Sequence, residues 1–205
     1  MFKLISGAAI FGTAALAASP AFAQLAPSGP RIELQAGLER ERGELNTGPG
    51  TTLPYEEDSL YYGVAAGYDI SLVAVALGVD VEVGTTDEKY DFDYTEDGVD
   101  YFGTSESGRD LYLGGRITVP IGPIGALYAK AGYSNVRTTL DVTSDDGTDV
   151  ISELIDSDKD GYRIGGGGRF NVGRGTYVGA EYRFSQYDND PIKKHQVVGT
   201  LGISF

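Results

Sequence analysis

The residues of this sequence best placed to do chemistry are acids and bases that recur at every second position of several segments. Five are acidic, five are basic, and glycines separate many of them. They are Glu33, Glu39, Asp80, Glu82, Arg116, Lys130, Arg163, Arg169, Glu181 and Arg183. A buried charge must be paired, because losing its partner is strongly destabilising. The equal number of acids and bases predicts an ion-pair network. Glu33 and Arg169 are expected near one end of the molecule, and Asp80 and Glu82 toward the other.

The sequence offers little for nucleophilic catalysis. It has no cysteine, which excludes thiol chemistry, disulfides and Cys-ligated zinc, and His195 is its only histidine. A catalytic triad would need a serine and a carboxylate beside His195, and the candidates Ser185 and Glu181 have no spacing typical of one. We therefore predict that the protein is not an enzyme and has no resident cofactor.

One acidic segment has the spacing of a loop that binds a hard cation. Asp156, Asp158 and Asp160 alternate and are followed by a glycine. Calcium prefers such oxygen ligands, but the twelfth position of an EF-hand loop would be Gly167, so the usual bidentate glutamate is missing. The pattern favours a loosely bound divalent cation over a specific calcium site.

Most of the negative charge lies in two stretches between the alternating segments. The formal net charge is −14, and residues 84–108 and 141–160 each contain eight acids and one lysine. Such a chain is a poor partner for nucleic acid, whose binding needs clustered Lys and Arg. The first stretch also contains the aromatic residues Tyr90, Phe92, Tyr94, Tyr101 and Phe102. Tyrosine is frequent in binding surfaces, so the stretches are expected either to bind a cationic or host-surface partner or to form a solvated shield.

The N-terminus has the pattern of a cleaved export signal. Residues 1–23 combine Lys3, an apolar stretch and a small-residue site ending at Ala23. We predict a signal peptide over 1–23, a short periplasmic leader over 24–30 and one domain over 31–205.

The elements that must position the charges are short segments in which apolar and polar residues alternate, as in β-strands. Eight can be counted, over residues 31–42, 59–70, 72–83, 109–119, 125–140, 161–172, 176–187 and 194–205. Tight connections at 70–71, 120–124 and 173–175 alternate with long connections at 43–58, 84–108 and 141–160, and a moderate one at 188–193. This pattern is typical of an up-and-down barrel with short turns at one end and long loops at the other. We predict an all-β, eight-stranded antiparallel transmembrane β-barrel.

The uncharged face of these segments distinguishes a membrane barrel from a soluble β-sandwich, which would also alternate. Its aromatic residues fall at two heights, as the girdles at two membrane interfaces do. Those expected toward the long loops are Tyr62, Tyr133, Tyr162, Tyr182 and Phe184, and those toward the short turns are Tyr68, Phe170 and Phe205. A sandwich would not require this arrangement, nor equal numbers of acids and bases on its other face.

The last segment, His195 to Phe205, ends on an aromatic residue with Ile203 and other apolar residues at alternate positions before it. It resembles the C-terminal signal by which the insertion machinery recognises Gram-negative outer-membrane barrels, except that its glycines lie at 199 and 202. The chain is similar to the small eight-stranded outer-membrane barrels of the opacity-protein and OmpA-transmembrane-domain type, often labelled porin family. The resemblance implies outer-membrane lipid and lipopolysaccharide as neighbours, and both termini in the periplasm.

Three functions are compatible with this resemblance. We favour an envelope or surface protein with a charge-paired, largely closed lumen and acidic extracellular loops for interaction or shielding. The alternative is a narrow porin-like channel for small solutes. A lipid A-modifying enzyme is the third, and the lone His195 weighs against it.

Overall fold

A computed structural model describes residues 27–48, 51–87, 89–96, 99–145, 150–188 and 192–205. The predicted signal peptide over 1–23 and residues 24–26 of the leader lie outside the described residues. In the described part, no helix is long and apolar enough to cross a membrane.

Nine β-strands and one 3-10 turn make up the described fold. The strands are β1 (Gly29–Gly48), β2 (Thr51–Ser71), β3 (Ala76–Thr86), β4 (Lys89–Glu96), β5 (Val99–Pro120), β6 (Gly125–Asp145), β7 (Val150–Asn171), β8 (Thr176–Tyr187) and β9 (Lys193–Ser204). Each strand is antiparallel to its neighbours, β1 pairs with β9, and β3 pairs with β5. β4 follows β3 along the chain and pairs with the first part of β5, beyond the region where β5 pairs with β3. The wall is therefore a closed eight-stranded antiparallel barrel, which confirms the predicted fold class.

Three short turns close one end of the barrel, here called the turn end. They lie at residues 72–75, at the 3-10 turn Gly122–Ile124, and at residues 172–175. The first turn corrects the prediction, which placed the connection at 70–71 and began the next strand at Leu72. β2 continues through Ser71, Val73 takes a left-handed φ of 71°, and β3 begins at Ala76. A valine rarely adopts this conformation, so the unbroken apolar run of residues 72–75 concealed the turn.

At the opposite end, here called the loop end, the strands extend far beyond the barrel. β1, β2, β5, β6 and β7 contain 20 to 22 residues each, about twice the 9–11 residues that a membrane crossing needs. Most of the stretches predicted as loops are therefore paired strands, because the barrel register continues upward, as in Arg40↔Asp58 and Arg137↔Asp158. We call residues 43–48 and 51–58, 89–96 and 99–107, and 137–145 and 150–160 the projecting strands. They form a β1–β2 hairpin and a β4–β5–β6–β7 sheet.

The two faces of the barrel wall invert the usual order of a globular protein. Large apolar side chains such as Leu38, Val79 and Leu113 are more than half exposed on the outside. The largest fully buried side chains include Arg163 and Arg183 on the inside. Successive side chains of a strand point to opposite faces. The apolar set therefore points outward, as expected for a wall that faces lipid, and the charged set points inward.

Inward tyrosines pack onto the glycines of the inner wall. A methyl group built on Gly84, Gly114 or Gly202 would overlap the side chain of Tyr61, Tyr112 or Tyr177 respectively. The glycines therefore make room for rings that fill the barrel and cover the backbone. This packing accounts for much of the glycine on the inner face.

Candidate functional site

All ten charged residues predicted to form a network are buried inside the barrel, each at most 4% exposed. The structure adds four buried charges that the sequence analysis missed: Arg31, Asp69, Asp110 and Lys194. Each lies on the inward parity of its strand, so a strict count by twos from Glu33, Gly67, Arg116 and Gln196 would have found them. The described interior therefore holds seven buried carboxylates and seven buried cations.

The charges nearest the turn end form one cluster around Arg31. Its guanidinium contacts Glu33 at 3.4 Å, Asp69 at 2.8 Å, and Asp80. Arg116 joins Asp80 at 2.6 Å and Glu33 at 3.3 Å. The expectation that Asp80 lies toward the loop end was therefore wrong. Since β3 begins at Ala76, Asp80 stands level with Gly67 and Arg31 in the register.

A second cluster occupies the middle of the barrel around Glu82. Lys130 Nζ lies 2.5 Å from Glu82 Oε1 and 2.6 Å from Glu181 Oε1. Arg183 contacts the same two carboxylates, at 3.3 Å and 2.5 Å. Arg163 contacts Glu82 at 3.6 Å and Asp110 at 2.5 Å. Glu82 is thus shared by three cations at the centre of the barrel, and the expectation that it lies toward the loop end was wrong for the same reason as for Asp80.

A smaller cluster lies at the loop end of the barrel. Lys194 Nζ contacts Glu39 at 2.7 Å and Glu41 at 3.1 Å, and the Gln196 amide donates to Glu39 at 2.5 Å. These contacts link β1 to β9, the two strands that complete the barrel wall.

Tyrosine rings pack against several of the buried cations. Arg116 lies 4.2 Å from the centre of the Tyr128 ring, and Lys130 lies 4.9 Å from that of Tyr112. Arg169 lies 4.8 Å from the Tyr177 ring and beside a cavity of 360 Å³ at the turn end. Within the described part of the chain, Arg169 is paired with no carboxylate. Rings and ion pairs together fill an interior that, with eight strands, is wide enough only for side chains.

The three carboxylates predicted as metal ligands lie on the outside of β7, above the barrel. Arg137 donates two hydrogen bonds to Asp158, at 2.9 and 2.7 Å, and holds the pKa of that carboxyl below its usual value. The Thr139 hydroxyl donates to Asp156 at 3.0 Å, and Tyr133 and Asn135 donate to Asp160, lowering its pKa. Each carboxylate is therefore engaged by β6.

The described residues contain no group of three or more acidic or histidine side chains arranged to hold a metal ion. Asp156, Asp158 and Asp160 would have to leave their partners on β6 to share one cation. Weak binding of a divalent cation at these residues stays a prediction, which a calorimetric titration with calcium would test.

The structure places His195 on the outer wall of the barrel, where the Tyr182 hydroxyl lies 2.6 Å from its Nδ1. Ser185 and Glu181 point inward and are buried against Arg163 and Arg183. The wall of the barrel therefore separates the imidazole from both groups, and the three do not assemble into a triad.

The predicted C-terminal signal lies on the outside of β9 at the turn end. Phe205 is 70% exposed and Ile203 is 47% exposed. The Phe205 amide donates to the carbonyl of Pro30 at 3.0 Å. Neither residue is needed to fill the interior.

A closed barrel with an apolar outer wall and a charged, ion-paired interior is a transmembrane β-barrel. The family model of the outer membrane protein beta-barrel domain matches residues 9–205. The chain belongs to this family, whose members lie in the outer membrane of Gram-negative bacteria.

Two solved structures illustrate the fold of this chain. Ail, the attachment invasion locus protein of Yersinia pestis, in complex with the heparin analogue sucrose octasulfate, is 13% identical. The match covers 86% of this chain and 99% of Ail, with a TM-score of 0.51. Neisserial surface protein A is 14% identical, over 87% of this chain and 98% of that one, also with a TM-score of 0.51. At these identities the likeness shows the fold alone. A comparison with curated proteins found no match.

Proposed function

We propose that this outer-membrane barrel is an envelope surface protein, in which a closed barrel anchors acidic projecting strands for interaction or shielding. One observation carries the proposal: the strands continue for about twice the length of a membrane crossing, while the interior below them is filled by buried charges that, apart from Arg169, are ion-paired with one another. The barrel holds the projecting strands in place, and the projecting strands form the acidic surface that meets a partner or shields the cell.

The filled interior favours a barrel that does not conduct ions. Glu82 and its three cations lie at the centre, each at most 1% exposed at the side chain. An ion crossing the barrel would have to separate these pairs, and breaking a buried pair costs about 3–5 kcal/mol. An interior of this kind also stabilises the barrel that supports the projecting strands.

The charge of the projecting strands favours a cationic partner. Exposed carboxylates include Glu56, Glu57, Asp58, Asp156 and Asp158, and Phe102 is an exposed aromatic among the described residues. Ail was solved with a heparin analogue, which is a polyanion. A surface with the opposite charge is better suited to a basic peptide or a cationic host surface. We place both termini and the turn end in the periplasm, so that the projecting strands face outward.

Protease treatment of intact cells carrying the mature protein tests this orientation. Cleavage confined to the loop end, at residues 43–58, 84–108 and 141–160, with the barrel retained, is the expected result. Cleavage at the turn end at residues 120–124 or 172–175 in intact cells would overturn the orientation. Lysed cells serve as the control, because the protease then reaches both ends of the barrel.

The narrow porin-like channel is a second candidate because Lys130 is shared between Glu82 and Glu181 at nearly equal distances. A cation that exchanges between two carboxylates could open a conduit. Planar-bilayer recordings of the purified protein and of Glu181→Ala distinguish the two. Channel events in either protein would favour the pore, and their absence from both would favour the closed anchor. Mass spectrometry of lipid A from a deletion strain tests the third function, lipid A modification.

A further inference from the structure

The outer wall of the barrel carries a group of basic side chains just above its apolar belt. On adjacent strands β1 and β9, Arg40 is paired in register with His195, and Arg42 with Lys193. All four side chains point outward, because they share the parity of the lipid-facing residues Leu38 and Val197 below them. We call these four residues the basic sector.

Two of the four residues of the basic sector are paired with acids, and both acids lie on the β2 side. Arg40 donates to Asp58 at 2.6 and 2.8 Å, and Arg42 contacts Glu56 at 2.8 Å, both acids being on β2. On the β9 side, Lys193 has no ion-pair partner within the described ranges. Three permanent cations and a histidine therefore face two carboxylates, which leaves the sector positive.

The opposite side of the outer wall differs at this height. There Arg137 contacts Asp158 at 2.7 Å and Asp156 at 3.8 Å, and Arg109 lies 4.0 Å from Asp158. Asp160 adds a third carboxylate against the two arginines. In a chain whose net charge is −14, the positive sector is therefore a local feature of β1 and β9.

An apolar cleft lies directly below the basic sector. It has a volume of 300 Å³, its floor includes Leu38, Val197 and Tyr182, and its upper rim includes His195 and the ion pair of Arg40 with Asp58. The cleft therefore has an apolar lower part and a charged upper rim, at the boundary between the lipid-facing belt and the projecting strands.

A single row of small residues, here called the furrow, crosses three strands of the outer wall directly below the cleft. Ala36, Gly199 and Ala180 lie side by side in register on β1, β9 and β8. A methyl group on Gly199 would approach nothing nearer than the Ala36 carbonyl oxygen, at 3.6 Å. Packing within the protein therefore does not require glycine here, and the furrow is free to accept an acyl chain.

We propose that the basic sector and the cleft below it bind a phosphorylated lipid of the outer leaflet, with its phosphate at Arg42, Lys193 and His195 and an acyl chain along the furrow. Basic side chains at a membrane surface attract anionic lipid headgroups, and a cation hydrogen-bonded to phosphate interacts strongly. The proposal rests on the proposed orientation, since only then does the sector meet the outer leaflet.

The test compares three forms of the mature protein in phosphatidylcholine nanodiscs that contain a small fraction of bisphosphorylated lipid A. They are the wild type, Arg42→Gln/Lys193→Gln, and the matched control Arg109→Gln/Arg137→Gln, which removes the same charge from the opposite wall. Native mass spectrometry measures the lipid A retained by each, and heat-modifiable gel migration verifies that each is folded. We expect retention to fall by about thirty-fold in the first variant, since each of the two basic residues contributes about 1 kcal/mol near an anionic surface and about 1.4 kcal/mol corresponds to a factor of ten, and to remain unchanged in the control.

Equal loss in both double variants, or equal retention in all three proteins, would overturn the site. Dephosphorylated lipid A provides a second arm: wild-type retention as high as with the phosphorylated lipid would show that the phosphate is not recognised. Nanodiscs expose both ends of the barrel, so this result does not depend on orientation. Protease treatment of cells tests orientation separately, which keeps the failure of one proposal distinct from the failure of the other.

Discussion

Replacing Lys130 with methionine tests whether the interior of the barrel excludes water. The ammonium is fully buried between Glu82 and Glu181, at 2.5 and 2.6 Å, and packs on the Tyr112 ring. Methionine preserves most of the side-chain volume but removes the charge. Glu82 then keeps its longer contacts with Arg183 and Arg163, at 3.3 and 3.6 Å, and the hydrogen bond that the Gln35 amide donates to it at 3.4 Å.

The expected loss follows from the surroundings of Lys130. Removing one partner of a buried ion pair destabilises a protein by about 3–5 kcal/mol. The two remaining arginines soften the effect, so we expect a loss of about 3 kcal/mol in the free energy of unfolding. In a water-filled lumen the same pair would be screened and would contribute about 0–1 kcal/mol. The two descriptions of the interior therefore differ by an amount that a denaturation experiment can resolve.

Urea unfolding of the protein refolded into lipid vesicles, followed by heat-modifiable gel migration, measures this difference. The double variant Lys130→Met/Glu82→Gln restores neutrality and leaves Arg163 with Asp110 and Arg183 with Glu181. It should recover about 2 kcal/mol relative to the sum of the two single changes, since residues in one network are coupled by roughly 0.5–3 kcal/mol. Arg174→Met, in the exposed turn at residues 172–175, is the control and should leave the unfolding midpoint unchanged.

A loss below about 1 kcal/mol in Lys130→Met, without recovery in the double variant, would refute a dry, paired interior. The lumen would then contain water, and the result would favour the porin-like channel over the closed anchor.

Three further predictions follow from single residues. Gly114→Ala should destabilise the barrel by about 1–3 kcal/mol, because the added methyl group overlaps an inward tyrosine; Gly199→Ala, whose methyl group would face lipid, should not shift the urea midpoint. The Asp158 carboxyl should titrate below the usual aspartate value of 3.8 by carbon NMR, and Arg137→Gln should raise its pKa toward that value. Because the folded-state pKa is depressed, this pair stabilises the projecting strands above the unfolded pKa and stops doing so as the pH falls through the folded one. Phe205→Ala should reduce the amount of folded protein in the outer membrane of cells but not the yield of refolding in vitro, since the ring is 70% exposed and packs on no interior residue; equal loss in both measurements would assign Phe205 a structural role instead.

The sequence was sufficient to predict which side chains face lipid. In β9, the apolar residues at alternate positions were predicted to lie on one face, and three of them, Val197, Leu201 and Ile203, are exposed on the outer wall. The prediction needs only the two-residue period of a strand, which is local and survives errors in strand boundaries. The same count by twos would have added Arg31 and Lys194 to the buried network.

The positions of strand ends were harder to predict. Leu72 and Val73 read as the start of a strand, yet Val73 forms a turn with a positive φ. The resulting shift of β3 moved Asp80 from the expected loop end to the turn end beside Arg31. An apolar run without glycine or proline contains no local signal for such a turn.

The sequence by itself determined the two faces of the wall, the number of barrel strands and the balance of charge inside, because each depends on the order of neighbouring residues. Only the tertiary structure decided which charges meet. Lys130, Glu82 and Glu181 come from three different strands, and their contact depends on how closure of the barrel offsets one strand against the next. Tertiary pairing also turned acidic stretches of low β-propensity into projecting strands, since a strand continues wherever its neighbour supplies backbone partners and opposite charges, as Arg137 does for Asp158.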